Sequence, residues 1–403
     1  SAGPRGFPYF TGRDRGQTDG SGEDQPVKRL HGRAFIRGAL NPDVLITIEG
    51  ETIANVATTQ TVPPDATRID GVILPGFIDV HVHGGDGADF MDGDTDAITR
   101  ITEFHATHGT TALAATTLSS SRHDLLTAVK TAARFLPPPS AAEVVAIHLE
   151  GPYLNAGRAG AQDRASIRLP DIGEVAALLA ESPKLAWIIT VAPEIPGVRE
   201  LIEHFRERVT FSIGHTSATY ADAAAAVLWG ASHFTHLFNA MTPLHHREPG
   251  VVGAAMVSED ATVELIADGV HVHQAVLRIA ARMMHPRVAL VTDAMRACGL
   301  PDGTYKLYDY EVTVADGAAR LNDGTLAGSI LTMDRAVRNM VELAGLPLET
   351  VIPLATEVPA RIAGVSDRKG RIATGYDADL VILNEKQEVE RVFVRGQETG
   401  ARS

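Results

Sequence analysis

Gly71-Val-Ile-Leu-Pro-Gly-Phe-Ile-Asp-Val-His81-Val-His83 is a run of apolar and β-branched residues that stops at two histidines two positions apart. A mostly apolar run fits a strand buried on both faces, the kind found in parallel sheets. Alternate residues of a strand share a side, so His81 and His83 point the same way. Neutral imidazoles bind divalent cations, and two on one side make half a site. A polar strand end with ordinary histidines would look the same, so the weight falls on the rest of the chain.

The pattern returns four times. Val144-Val-Ala-Ile-His-Leu-Glu150 is an apolar run ended by a carboxylate, with Gly151-Pro152 breaking the chain behind it. Val209-Thr-Phe-Ser-Ile-Gly-His215, Ala231-Ser-His-Phe-Thr-His236 and Val288-Ala-Leu-Val-Thr-Asp293 end likewise in one polar residue. Glu150 alone could cap a loop, and either histidine alone could be structural. Together Glu150, His215 and His236 offer two nitrogens and one oxygen and leave positions open for water, as a catalytic divalent site requires. Asp293 could bind metal or carry a proton.

Eight strand-like runs, centred near Ile78, Ala112, Val145, Ile188, Ser212, Phe234, Leu265 and Leu290, alternate with helical patterns. The predicted helices include Leu125–Phe135, Ile172–Leu179, Val198–Phe205, Asp222–Leu228 and Gln274–Met284. Such alternation implies an α/β fold with parallel strands and crossover helices, and eight units suggest a closed (β/α)8 TIM-type barrel. A barrel gathers its strand ends on one rim, where such folds place their chemistry. Residues 28–72 and 365–403 hold short β-like runs that cannot form cores alone. They are expected to pair into a small β-sandwich domain around a barrel of residues 73–364. Residues 1–27 are polar, without apolar period, and read as a disordered leader. Gly303 to Leu326 reads as hairpins, with turns at Asp316-Gly and Asp323-Gly. Met333–Leu343 and Val351–Ile362 read as helices.

Composition sets bounds. The chain has 403 residues, 44% of them hydrophobic, enough for a barrel and a smaller module. No apolar stretch approaches the ~20 residues that span a bilayer. No signal-peptide pattern stands at the start. A single Cys298 excludes an internal disulfide and suits a reducing cytoplasm. The formal charge of −14 argues against nucleic acid or an anionic membrane as partner. An anionic substrate would then need a local cationic pocket.

Further segments fall in order along the chain: His148-Leu-Glu-Gly-Pro-Tyr-Leu-Asn155, Gly214-His-Thr, Thr235-His-Leu-Phe-Asn-Ala-Met241, Arg247-Glu-Pro-Gly250, Ala267-Asp-Gly-Val-His271 and Leu326-Ala-Gly-Ser329. With the His-x-His strand and the final Asp293, the chain resembles the amidohydrolase superfamily. More narrowly it resembles the N-acetylglucosamine-6-phosphate deacetylase family, from about Leu45 to Gly396. The resemblance implies metal-dependent hydrolysis of the N-acetyl group of N-acetylglucosamine-6-phosphate to glucosamine-6-phosphate and acetate. It implies a cytoplasmic homodimer in which Arg247 meets the substrate phosphate across the interface. It places Ala161, Gln162, Asn239, Ala240, His271, Leu326, Ala327 and Gly328 against the sugar. Gln162 departs from the usual His, which puts its phosphate contact in doubt, since an amide adds no charge.

The chemistry expected of this set follows from the bond to be cut. An amide yields only to a strong nucleophile and a protonated leaving nitrogen. A divalent cation, whether zinc, iron, cobalt or manganese, lowers the pKa of water towards about 7 and polarises the acyl oxygen. Asp293 is expected as general base and acid, and His271 as hydrogen-bond donor to the oxyanion. One or two ions are expected per subunit: Glu150, His215 and His236 form the tight metal site, and with two ions His81 and His83 form a second, weaker one bridged by Glu150. His273 reads as structural, and nothing near Ser217 resembles a nucleophile elbow. Glu150 stands where other superfamily branches carry a carbamylated lysine. Two other readings remain: a deacetylase for N-acetylgalactosamine-6-phosphate or a non-phosphorylated acetyl-amino sugar, and a non-catalytic scaffold on a hydrolase fold.

Overall fold

A computed structural model of the chain describes residues 27–307 and 310–399. The leader expected at residues 1–27 lies almost wholly outside the described residues, as do residues 400–403 of the tail.

Eight strands form one parallel sheet: Phe77–Val82, Thr110–Thr117, Glu143–Glu150, Ala186–Val191, Thr210–Ile213, His233–Phe234, Thr262–Ile266 and Val288–Val291. Every residue of these strands is buried, because helices cover one face and the barrel interior the other. The outer strands meet where the backbone N–H of Asp293 donates to His81 O at 2.9 Å and that of His83 to Ala294 O at 2.9 Å. Closure therefore runs through the residues that end the first and last strands.

Local sequence explains the crossover helices. Asp94 and Asp171 cap Thr95–Thr107 and Ile172–Glu181, their carboxylates accepting first-turn N–H groups. Thr219 and Asp222 form a capping box on Tyr220–Trp229. Gly250–Val257 is almost entirely buried, so its sequence shows no polar face, and periodicity did not single it out. The segment expected as one helix over Val351–Ile362 is two, Leu348–Ala355 and Glu357–Ile362. Pro359 has no N–H for the Ala355 carbonyl, and its ring crowds that oxygen, so the helix stops there.

Both ends of the chain build a separate seven-stranded sheet. Its order is Gln397–Glu398, Val389–Val394, Leu380–Leu383, Thr67–Pro75, Val27–Ile36, Ala39–Glu49 and Thr52–Thr58. The ends meet where Leu380 to Leu383 pair antiparallel with Pro75 to Val72. Leu30, Ile46, Ile48, Ile53, Ile73, Leu380 and Phe393 form a core of their own. Gly76 joins this sheet to the first barrel strand, and a Cβ there would collide with the Thr111 side chain. Gly303–Leu307, Tyr310–Ala315 and Ala318–Leu321 form the expected antiparallel hairpins, packed on Leu118, Met295 and Ala297.

Candidate active site

All five chemistry-bearing runs end on one rim. His81 lies within the first strand and His83 just past it; Glu150 closes the third; His215, His236 and Asp293 follow the fifth, sixth and eighth by two residues. His215, His236 and Asp293 hold φ of 46°, 28° and 49°, a left-handed backbone disfavoured for side chains with a Cβ. Such strain costs about 1–3 kcal/mol per residue and persists where the surroundings over-determine it. Here it turns each side chain back over the barrel mouth.

Glu150 is the hub. Its Oε1 lies 3.1 Å from His215 Nε2 and 3.1 Å from His236 Nε2, and those two nitrogens are 3.0 Å apart. Its Oε2 lies 3.2 Å from His83 Nε2. Asp293 Oδ1 faces the same imidazoles, 3.3 Å from His83 Nε2 and 3.5 Å from His81 Nε2. Outer partners set the tautomers. His215 Nδ1–H donates to Arg158 O at 2.8 Å and His81 Nδ1–H to Glu264 Oε2 at 2.9 Å, so both Nε2 lone pairs point inward.

These donors fit a divalent cation. His215 Nε2 and His236 Nε2 lie 3.0 Å apart and each is 3.1 Å from Glu150 Oε1, so three ligand atoms converge on one point. A four-coordinate ion at about 2.0–2.1 Å from each donor spaces its ligands by about 3.3 Å, close to this arrangement. His81 Nε2 is buried with no hydrogen-bond partner among the described residues, and it faces Glu150 and Asp293. Among the described residues three groups bring potential ligand atoms together: Glu150 with His215 and His236, His81 with His83 and Asp293, and His81 with His148 and Glu264; the first two border the cleft. The charges agree. Burial alone would lower His83, but hydrogen bonds to Asp293 and Glu150 outweigh it and raise the imidazole to about 9. Burial opposes ionisation of Glu150, yet His81 and His215 hold its carboxyl well below the usual range. The two carboxylates thus demand positive charge at this rim.

A cleft of about 550 Å³ opens above the histidines. Ala161, Gln162, Asn239, Ala240, His271, Leu326 and Gly328 line it with His83, Glu150, His215, His236 and Asp293. His81 lies beneath, fully buried. Ala327 is also fully buried, packed with Met295 and Leu307 under the hairpins rather than on the wall. Arg247 is exposed and does not line the cleft of its own chain. His271 Nδ1 bonds Asp268 Oδ2 at 2.6 Å. Burial would lower its pKa, but that bond outweighs burial and raises it. His273 accepts from Ala275 N as the cap of Gln274–Met284, the structural role expected.

Gln162, on the cleft wall, donates from Nε2 to Glu150 Oε2 at 2.6 Å. Sequence reading missed three cleft arginines, Arg158, Arg164 and Arg320, which scattered positions do not advertise. It missed Glu264, which accepts from His81, from His233 Nε2 at 3.0 Å and from the His236 backbone at 2.8 Å. A signal existed there: a glutamate inside the apolar run Thr262-Val-Glu-Leu-Ile266 is seldom buried without a partner.

A barrel with a histidine and carboxylate rim defines a metal-dependent hydrolase class, and the comparisons agree. The Amidohydrolase family matches residues 72–399. The chain is 39% identical to N-acetylglucosamine-6-phosphate deacetylase of Bacillus subtilis over 376 residues, covering 88% of this chain and 95% of that protein. It is 37% identical to N-acetylgalactosamine-6-phosphate deacetylase of Escherichia coli O157:H7, covering 85% and 92%. An N-acetyl-D-glucosamine-6-phosphate deacetylase variant from Mycobacterium smegmatis, solved with N-acetyl-D-glucosamine-6-phosphate, superposes with a TM-score of 0.86 at 34% identity, covering 93% and 98%. The chain belongs to the amidohydrolase family, on its N-acetylglucosamine-6-phosphate deacetylase branch.

Proposed function

We infer that this protein removes the acetyl group from N-acetylglucosamine-6-phosphate, releasing acetate and glucosamine-6-phosphate. The observation that carries the reading is the convergence of Glu150, His215 and His236 within 3.1 Å of one another beneath a cleft of sugar-phosphate size. Those three residues would hold the tight divalent cation, with His81 and His83 forming a second, weaker site. The bound cation would supply acidified water near neutral pH and polarise the acyl oxygen. Zinc, iron, cobalt and manganese all suit such ligands.

The chain's own groups do the rest. Asp293 lies at the cleft floor beside both histidines of the first strand, where it takes the proton of the attacking water and passes it to the departing nitrogen. His271, held by Asp268, donates to the developing oxyanion. Asn239, Ala240 and Leu326 line the cleft where the sugar and its acetyl group would sit. Arg158, Arg164 and Arg320 bring positive charge to a cleft in a chain of net charge −14. Arg247 adds to this across a homodimer interface. A reducing cytoplasm suits the single buried thiol.

Acetate release from purified, metal-analysed protein tests the reading, with N-acetylglucosamine-6-phosphate compared against its dephosphorylated form and its galactose epimer. No acetate from any of the three refutes deacetylation. Preference for the epimer would favour the second reading, which the Escherichia coli relative supports. Arg247→Ala is expected to lower kcat/KM about 10–100-fold for the phosphorylated sugar and little for the free one, the cost of one lost charged hydrogen bond. Equal losses on both substrates would remove Arg247 from the phosphate site. The double variant His81→Ala, His83→Ala is expected to lose metal while keeping appreciable activity. Unchanged metal content on elemental analysis would contradict a second site.

A further inference from the structure

Gln162 is buried, 4% exposed, and both ends of its amide are engaged. Its Nε2 donates to Glu150 Oε2 at 2.6 Å, and its Oε1 accepts from the Ser119 backbone N–H at 2.6 Å. The orientation is forced, since a carboxylate only accepts and a backbone N–H only donates. Ser119 follows the second barrel strand, Thr110–Thr117, and Gln162 sits in the loop beyond the third. The amide therefore ties Glu150 to the backbone of a neighbouring barrel unit.

The geometry points to Gln162 as a positioning residue for the metal ligand Glu150, not a contact for the substrate phosphate. The carboxylate can turn about its last torsion, and that freedom would blur which oxygen meets the cation. Gln162 holds Oε2, leaving Oε1 fixed 3.1 Å from both His215 Nε2 and His236 Nε2. Oε2 is also the oxygen nearest His83, at 3.2 Å, so the same bond occupies a lone pair that a second cation would use. The residue thus sharpens one site and loosens the other. A histidine here could donate from one nitrogen and accept at the other, so it would preserve the link.

This rests on Glu150 being a metal ligand, so the experiment separates the two claims. Metal-free protein is titrated with Co²⁺ and followed by absorption and calorimetry, for wild type, Gln162→Leu and Gln162→His. Wild type that binds no Co²⁺ would sink the metal reading itself. Given wild-type binding, Gln162→Leu is expected to weaken the first ion 10–100-fold, the usual cost of an outer-shell partner. Gln162→His is expected to recover most of that loss. The ratio of kcat/KM for phosphorylated over dephosphorylated sugar is expected to stay unchanged in both. Wild-type Co²⁺ affinity in Gln162→Leu, a histidine variant no better than leucine, or a collapsed substrate ratio would each overturn the proposal. Should Gln162→Leu fail to fold, Gln162→Asn is read the same way, because its amide is one methylene too short to span both partners.

Discussion

Asp293→Asn is expected to lower kcat by about 10²–10⁴-fold, the usual contribution of a positioned acid–base group. The substitution keeps the shape and the left-handed backbone, at φ 49°, where asparagine is among the best-tolerated residues. What it removes is the ability to take a proton. Burial opposes ionisation of Asp293, but the charge on His81 and the hydrogen bond from His83 outweigh it and hold the carboxyl below its usual value. The group is therefore ionised and ready to accept at neutral pH. KM is expected to move little, since Asp293 serves the transition state and not ground-state binding. Elemental analysis should show nearly the wild-type content at the Glu150, His215 and His236 site. Activity persisting at full rate would take Asp293 out of the mechanism.

The second large effect concerns stability. Lys369 is 1% exposed, with Nζ 2.5 Å from Asp379 Oδ2, 3.1 Å from Glu143 Oε2 and 3.1 Å from Asp377 Oδ2. Glu143 opens the third barrel strand, while Asp377 and Asp379 lead into strand Leu380–Leu383 of the terminal sheet. The ammonium thus joins the two sheets beside their apolar contact, in which Phe35, Leu74, Val381 and Leu383 pack with the barrel core. Lys369→Met would leave buried carboxylates with Arg368 as the remaining nearby cation, and breaking such a set costs about 3–5 kcal/mol. Urea unfolding should show that loss, with acetate release at low temperature largely kept because the rim lies at the opposite strand ends. A variant as stable as wild type would show that the cluster only breaks even.

The same cluster gives a pH dependence of defined sign. Burial would raise Glu143, but Lys369 and Arg368 outweigh it and hold the carboxyl far below its ordinary value of 4.5. A depressed carboxylate stabilises the fold above its unfolded pKa and loses that contribution as pH falls. Wild-type stability should therefore decline below about pH 4.5, and the decline should be shallower in Lys369→Met, where the depression is smaller. Equal acid slopes in the two proteins would assign the decline to other groups.

The eight strands and the rim residues were legible because parallel barrel strands are buried on both faces. Apolar runs then mark the strands, and the first polar residue after each marks the rim. Local chemistry likewise exposed the hairpin turns at Asp316-Gly and Asp323-Gly. Legibility failed where an element has no polar face, as in Gly250–Val257, and where one proline divided an otherwise helical pattern at Thr356. Roles set by contact rather than position were out of reach. Gln162 read as a neutral gap in a phosphate loop until folding brought it beside Glu150, and Arg158, Arg164 and Arg320 meet only across the cleft.

From the amino acids alone came the barrel, the residues at its rim and the class of reaction, since burial and side-chain chemistry each leave a mark on neighbouring residues. Only tertiary structure decided which oxygen of Glu150 faces His215 and His236, which partners fix the histidine tautomers, and which cations surround the cleft. Those depend on distances between groups far apart in the chain, such as His81 and Glu264, which are 183 residues apart, and no local pattern encodes such a distance.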